Sequence, residues 1–207
     1  PTTDIYTLSL HDALPIYPKI AGNNAAMYLA CQDYTNSKIY WAARNLTTGA
    51  SLASQAEITL RDSSGDYLSL AALTFSTKFE TVHTALIAFS EGGDFIDAYS
   101  MNGGGTWTSG NIDQSKTVTY TACTANAIGT VGNQSDVYHT AYYDDTTGNL
   151  YFAKSYTLGT WYSYPADTHT DDVGSRPSAV SDGTYLYVSY YNATDRVLKF
   201  VKAKVNF

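Results

Sequence analysis

"HTAYYDDTTGNLYFAKS", His139 to Ser155, is two aromatic-rich runs around a polar turn. Tyr, Phe and Thr fit a half-buried pleated strand, and Gly148-Asn149 supplies the chemistry of a tight hairpin. The same design recurs as "YLACQDYTNSKIYWAAR" from Tyr28, "HTALIAFSEGGDFIDAYS" from His83 and "YVSYYNATDRVLKFVKA" from Tyr187. Their turns carry Asn36-Ser37, Gly92-Gly93 and Asp195-Arg196. A small or β-branched residue marks the second strand of each pair at Ala42, Ala98, Ala153 and Val201, at spacings of 56, 55 and 48. In the first strand, Ala30, Ala85, Ala141 and Ser189 align 12, 13, 12 and 12 residues earlier. On this register His83 and His139 share one slot with Tyr28 and Tyr187, and a slot that accepts either ring is read as aromatic packing.

Two further strand-like pieces lie between successive hairpins. "TWTSGNI" from Thr106 and "TWYSYPA" from Thr160 follow a hairpin, whereas "LSLAAL" from Leu68, "VTYTACTA" from Val118 and "PSAVS" from Pro177 precede one. No segment sustains a helical period. Four strands in roughly 50 residues, repeated, predict propeller blades. A sandwich of stacked hairpins is the alternative, which the regular repetition disfavours. The expected fold is all-β: a partial β-propeller of about four four-stranded antiparallel blades, the last incomplete where the chain reaches Phe207.

"SMNGGGTW", Ser100 to Trp107, sharpens this reading. It resembles the Asp-box, Ser-x-Asp-x-Gly-x-Thr-Trp, of sialidase-like β-propellers, with Ser100, Gly104, Thr106 and Trp107 in place and Asn102 where the family has Asp. A shortened version, "SYTLGTW", runs from Ser155 to Trp161. The resemblance implies a turn between the third and fourth strands of a blade, remote from any active site. Asn can cap its own backbone there, and Trp can pack into the blade.

Residues 1–16 read differently. The codons ACT CTT TCC CTA CAC GAC GCT CTT CCG ATC encode Thr7 to Ile16 without mismatch. That string resembles a widely used short-read sequencing adapter, from which Pro1 and Asp4 depart. The expectation is that residues 1–16 are not native, and that 17–207 form the C-terminal part of a longer propeller from a metagenomic assembly.

The formal charge is −7, with 12 Lys+Arg against 19 Asp+Glu. Such a chain offers no basic stripe for nucleic acid, and no apolar run is long enough to span a membrane as a helix. Low charge with 19 Tyr and much Ser, Thr, Asn and Gly points to a secreted or cell-surface bacterial protein. Cys31 and Cys123, in strands of different repeats, are expected to be buried free thiols.

Candidate chemistry is sparse. By the same resemblance, sialidase-like hydrolysis needs three Arg around a substrate carboxylate, a Tyr–Glu pair and an Asp. Among Arg44, Arg61, Arg176 and Arg196, only Arg61 and Arg176 precede innermost strands. Asp144-Asp145 and Asp171-Asp172 read as solvated turns. No catalytic residue, metal site or cofactor is expected. Tyr and Trp offer rigid apolar faces with polar rims for sugar stacking, so Tyr34, Tyr156, Trp161 and Tyr164, with Arg61 and Arg176, are the candidate ligand contacts. The expected function is noncatalytic binding of a carbohydrate or cell-surface glycan. The alternative is the tail of a sialidase-like glycoside hydrolase whose catalytic groups lie elsewhere.

Overall fold

A computed structural model describes residues 16–23, 26–33, 38–52, 56–59, 65–76, 81–102, 106–128, 135–157, 159–168 and 172–204. These form β strands joined by turns, in four antiparallel meanders. The first sheet comprises β1 (Ile16–Gly22), β2 (Ala26–Asp33), β3 (Lys38–Asn45) and β4 (Ala56–Thr59). The second comprises β5 (Gly65–Ser76), β6 (Thr81–Glu91), β7 (Asp94–Ser100) and β8 (Thr108–Asp113). The third comprises β9 (Val118–Ile128), β10 (Ser135–Asp144), β11 (Asn149–Thr157) and β12 (Thr160–Asp167). The fourth has three strands, β13 (Val173–Ser181), β14 (Tyr185–Asn192) and β15 (Val197–Lys204). This is the expected partial propeller, with its last blade one strand short. Strand β1 opens at Ile16, one residue inside the segment expected to be non-native; residues 1–15 lie outside the described residues.

Each sheet has a forward face, toward the next sheet in chain order, and a rear face. Period-two alternation assigns the side chains. Ala30, Ile39 and Trp41 on the first forward face pack with Ala85, Ile87, Phe89 and Ala98 on the second rear face. Phe95 and Ala88 meet Tyr142 and Ala153. Leu150 and Phe152 meet Leu186, Val188 and Tyr190. The marker residues Ala42, Ala98 and Ala153 are fully buried, and Val201 is half-buried against the same core as Val188. At Ala98, Ala153 and Val201 a large residue would wedge packed sheets apart.

The first-strand alignment needs one correction. Trp41, Asp97, Phe152 and Phe200 are equivalent, and the residues opposite them are Ala30, Ala88, Ala141 and Ser189. The second-sheet member is therefore Ala88, not Ala85. The cause is loop length: Glu91 pairs with Asp94 across two residues, whereas Asp144 pairs with Asn149 across four. The expected sharing of one slot by His83 and His139 falls with it. Leu86, opposite Tyr99, occupies the place of Tyr28, His139 and Tyr187, while His83 lies opposite Thr74, its Nδ1 hydrogen-bonded with the Thr74 hydroxyl at 2.9 Å.

Backbone bonds repeat the geometry between sheets. Val118 N–H donates to the Gly93 carbonyl at 2.9 Å, and Val173 N–H donates to the Gly148 carbonyl at 2.7 Å. Each second strand ends on a buried polar residue: Asp33, Glu91, Asp144 and Asn192. Asp144 is thus no solvated turn. It accepts Thr117 N–H and Thr146 N–H at 3.2 Å and the Thr147 hydroxyl at 2.7 Å. Cys31 and Cys123 are free thiols, the second only half-buried, and burial pushes both up to about 11.

Candidate functional site

Strands β5, β9 and β13 are the first strands of successive sheets and pack beside one another. Ser69, Ala122 and Ser178 hold equivalent register on them, opposite Ala88, Ala141 and Ser189. Two residues earlier stand Tyr67, Tyr120 and Arg176. Tyr67 and Arg176 fall inside a break in the ladder, where a bulge re-aims a side chain, whereas Tyr120 stays in register opposite Tyr143.

Together these side chains form one row. The Tyr67 and Tyr120 ring centroids are 4.7 Å apart at an interplanar angle of 58°. The Arg176 guanidinium lies over the Tyr120 ring, 5.7 Å from its centroid, within cation–π range. Tyr120 also meets Tyr143 at 6.2 Å. Tyr67 and Arg176 are exposed and Tyr120 is half-buried. Tyr67 has φ of 55° and Arg176 φ of 52°, the left-handed region that bulky residues rarely enter. Strain recurring at equivalent places in two sheets is a mark of sites held for a purpose.

Polar groups frame the row. Tyr143 donates its hydroxyl to Asp172 Oδ1 at 2.5 Å, and burial followed by that carboxylate raises the phenol above its ordinary range. The row thus offers two tilted aromatic faces, a guanidinium with in-plane donors, and a carboxylate held at its edge. Such a surface can stack an apolar ring face and hydrogen-bond its hydroxyl or carboxylate substituents.

Of the residues expected from sequence, Arg176 belongs to this row. Tyr34 and Arg61 lie outside the described residues. Tyr156 and Tyr164 lie elsewhere, on the third and fourth strands of their sheet. Lys154 donates to the Tyr156 hydroxyl at 3.0 Å, and its ammonium lies 5.0 Å and 5.4 Å from the Tyr156 and Tyr164 ring centroids. Tyr164 and Lys154, but not Tyr156, border a small cavity between the third and fourth sheets, lined in part by His139, Phe152, Leu186 and Lys204. His139 is 3% exposed, and burial, then the Lys154 charge, lowers it to about 4. Trp161 does not join them. The strand period turns it to the rear face of β12, where its indole N–H donates to Asp97 at 2.8 Å and it packs with Phe95, Tyr138 and Tyr142 clusters. It is a packing residue.

Tyr67 and Tyr120 escaped the sequence reading. The signal was present: both stand two residues before the small residue that opposes the hairpin marker, but that alignment requires the corrected register.

The turn from Ser100 to Trp107 joins the third and fourth strands of its sheet, as expected. Asn102 Oδ1 accepts the Ser100 hydroxyl and Thr106 N–H, both at 2.9 Å, and Asn102 Nδ2 donates to Thr106 Oγ1 at 3.1 Å. Gly104 lies outside the described residues.

Comparison with known proteins supports the fold. No family model and no curated protein matches this sequence. Among solved structures, the fungal lectin from Aleuria aurantia, a six-bladed β-propeller with a novel fucose recognition mode, aligns at 15% identity and TM-score 0.53 over 92% of this chain and 60% of its own. A point mutant of the NanB sialidase from Streptococcus pneumoniae aligns at 10% identity and TM-score 0.58, over 89% of this chain and 30% of its own. AofleA from Arthrobotrys oligospora aligns at 11% identity and TM-score 0.54, over 93% and 57%. This chain therefore spans well under two thirds of each, and at these identities the likeness is one of β-propeller fold.

Proposed function

We propose that this chain is a noncatalytic carbohydrate-binding propeller segment of a secreted or cell-surface bacterial protein, and that it holds its ligand on the Tyr67–Tyr120–Arg176 row. The observation that carries the reading is the row itself: equivalent positions of three successive first strands converge on one exposed aromatic and cationic surface. Exposed rings in contact leave apolar area that a sugar ring face can cover, while Arg176 offers donors to its substituents. The propeller likeness to a lectin and to a sialidase supports a carbohydrate as the ligand class. The polar groups at the row make structural bonds, as Asp172 does with Tyr143, which favours binding over hydrolysis.

The test is binding of the full chain to an immobilised oligosaccharide panel, followed by titration of the best binder. Arg176→Ala and Tyr67→Ala each weaken binding about tenfold, on the order of 1.4 kcal/mol. Tyr164→Ala, on the fourth strand of its sheet and away from the first strands, leaves it unchanged. A panel without binders, or affinity indifferent to both row variants, overturns the reading.

A further inference from the structure

One pair of side chains sets the interface between the third and fourth sheets apart. His139 on β10 lies directly opposite Lys154 on β11. The equivalent pair is Tyr28 with Ala43 in the first sheet and Leu86 with Tyr99 in the second. Rings and aliphatic groups fill those places. In the third sheet an imidazole and an ammonium stand side by side, 3% and 5% exposed. Like charges directly opposite each other destabilise a sheet, so this pair favours a neutral imidazole or a bound anion.

Neither ring nitrogen of His139 has a hydrogen-bond partner in the protein. A neutral imidazole presents one N–H and one bare nitrogen. Burying both unbonded costs desolvation with no return, so such a group marks a place for a water, an ion or a ligand.

The imidazole lines the cavity between the two sheets, which has about 240 Å³ of free space, open solvent at its mouth included. Lys154 lines it from β11, Tyr164 from β12, Leu186 from β14 and Lys204 from β15. The Lys154 ammonium is steadied by the Tyr156 hydroxyl and the Tyr164 ring, and Lys204 is exposed. Among the described residues no carboxylate lines this space, in a chain whose net charge is −7. The ammonium that works against protonating His139 works in favour of any anion that enters. Water would satisfy the imidazole N–H. An oxyanion satisfies it and also gains from the field of the ammonium.

We propose that this cavity is an oxyanion site: a carboxylate-sized anion enters between the third and fourth sheets, accepts the His139 N–H and lies in the field of the Lys154 ammonium. The site is built on the second and third strands of its sheet and does not rest on the Tyr67–Tyr120–Arg176 row. An anion beside the ring favours the imidazolium, so binding strengthens as pH falls and the His139 midpoint moves up.

The experiment follows the imidazole C–H signals of the full chain by NMR near neutral pH. Formate or inorganic phosphate is titrated against chloride at matched ionic strength, and His139→Gln assigns the signal. The His139 signal is expected to move saturably while those of the other three histidines do not. Tighter binding of formate identifies a carboxylate as the ligand group, and tighter binding of phosphate a phosphate; both support the site. Lys154→Met, its fold checked by far-UV circular dichroism, weakens binding about tenfold or more. A second measurement needs no variant at Lys154: the saturating anion raises the His139 midpoint by about one pH unit or more. The proposal is overturned if neither anion moves the His139 signal at tens of millimolar, if all the histidines move alike, if Lys154→Met binds undiminished, or if the midpoint stays where chloride leaves it.

Discussion

Trp161 donates its indole N–H to Asp97 on the neighbouring sheet at 2.8 Å, and Trp107 occupies the same place one repeat earlier, its ring 5.1 Å from that of Trp41. Trp41 and Asp97 are themselves equivalent positions of β3 and β7. One slot thus accepts the incoming indole in two ways, by ring contact or by a hydrogen bond to a buried carboxylate. Burial raises the Asp97 pKa, and the Trp161 bond partly offsets that rise.

The two tryptophans allow a controlled comparison. Both are half-buried, so replacement by Phe removes similar packing from each. Trp161→Phe additionally strips a donor from a buried carboxylate, a bond worth about 1.5–3 kcal/mol. The Trp107 indole N–H has no protein partner. Chemical unfolding should show Trp161→Phe costing about 2 kcal/mol more than Trp107→Phe. Equal losses would mean that the Asp97 bond contributes nothing net.

Gly174 and Gly183 separate backbone strain from steric exclusion. Both have positive φ, 109° and 87°. A Cβ at Gly174 would stand 2.6 Å from Leu150 Cβ and 2.8 Å from Leu150 Cα, whereas one at Gly183 meets nothing within 4 Å. Gly183→Ala should cost about 1 kcal/mol from conformation alone. Gly174→Ala must also push β13 off β11, and roughly 3 kcal/mol or more is expected. Denaturation midpoints of the two variants measure the gap directly.

How far the sequence reached is clear from particular residues. Ala42, Ala98, Ala153 and Val201 announced the repeat because a packed sheet interface tolerates only small or branched side chains there. The turns announced themselves through Gly93 and Gly148, whose positive φ suits glycine. Ala85 misled because hairpin loop length is not visible in a spacing of one residue, yet it decides which face a strand residue takes. Arg176 was legible as a cation before a first strand. Tyr67 was not, since a bulge, and not strand alternation, aims it; Tyr120 keeps the alternation, opposite Tyr143, but its partners Tyr67 and Arg176 lie on other sheets.

The turn at Asn102 tests the substitution of Asn for the Asp of the resembled pattern. Its side-chain oxygen accepts two bonds and its amide donates one, to the Thr106 hydroxyl. Asp keeps both accepted bonds, and the Thr106 hydroxyl can rotate to become the donor. Asn102→Asp should therefore be neutral within about 0.5 kcal/mol, while Asn102→Ala loses about 1 kcal/mol. Thermal unfolding of both variants decides it, and an Asp variant as weak as the Ala variant would show that the amide donor is essential.

The last prediction is a pH dependence. His139 is buried between the third and fourth sheets with neither ring nitrogen bonded to protein, and burial with the Lys154 charge lowers it from 6.5 to about 4. Asp and Glu carboxylates titrate nearby in pH, so the readout must be a difference between variants. Where the folded value is depressed, the unfolded chain takes the proton first. Stability then rises with pH from about 4 to 6.5 and is complete above that window. At most ~3 kcal/mol separates its two ends. Tyr28 and Tyr187 show that a tyrosine fits the same place in other sheets. His139→Tyr should therefore flatten the stability difference between pH 4.5 and 7.5 while preserving the carboxylate contribution. Urea unfolding at both pH values gives the comparison, and an undiminished difference in the variant would show that His139 stays neutral in the unfolded chain or protonates freely in the folded one.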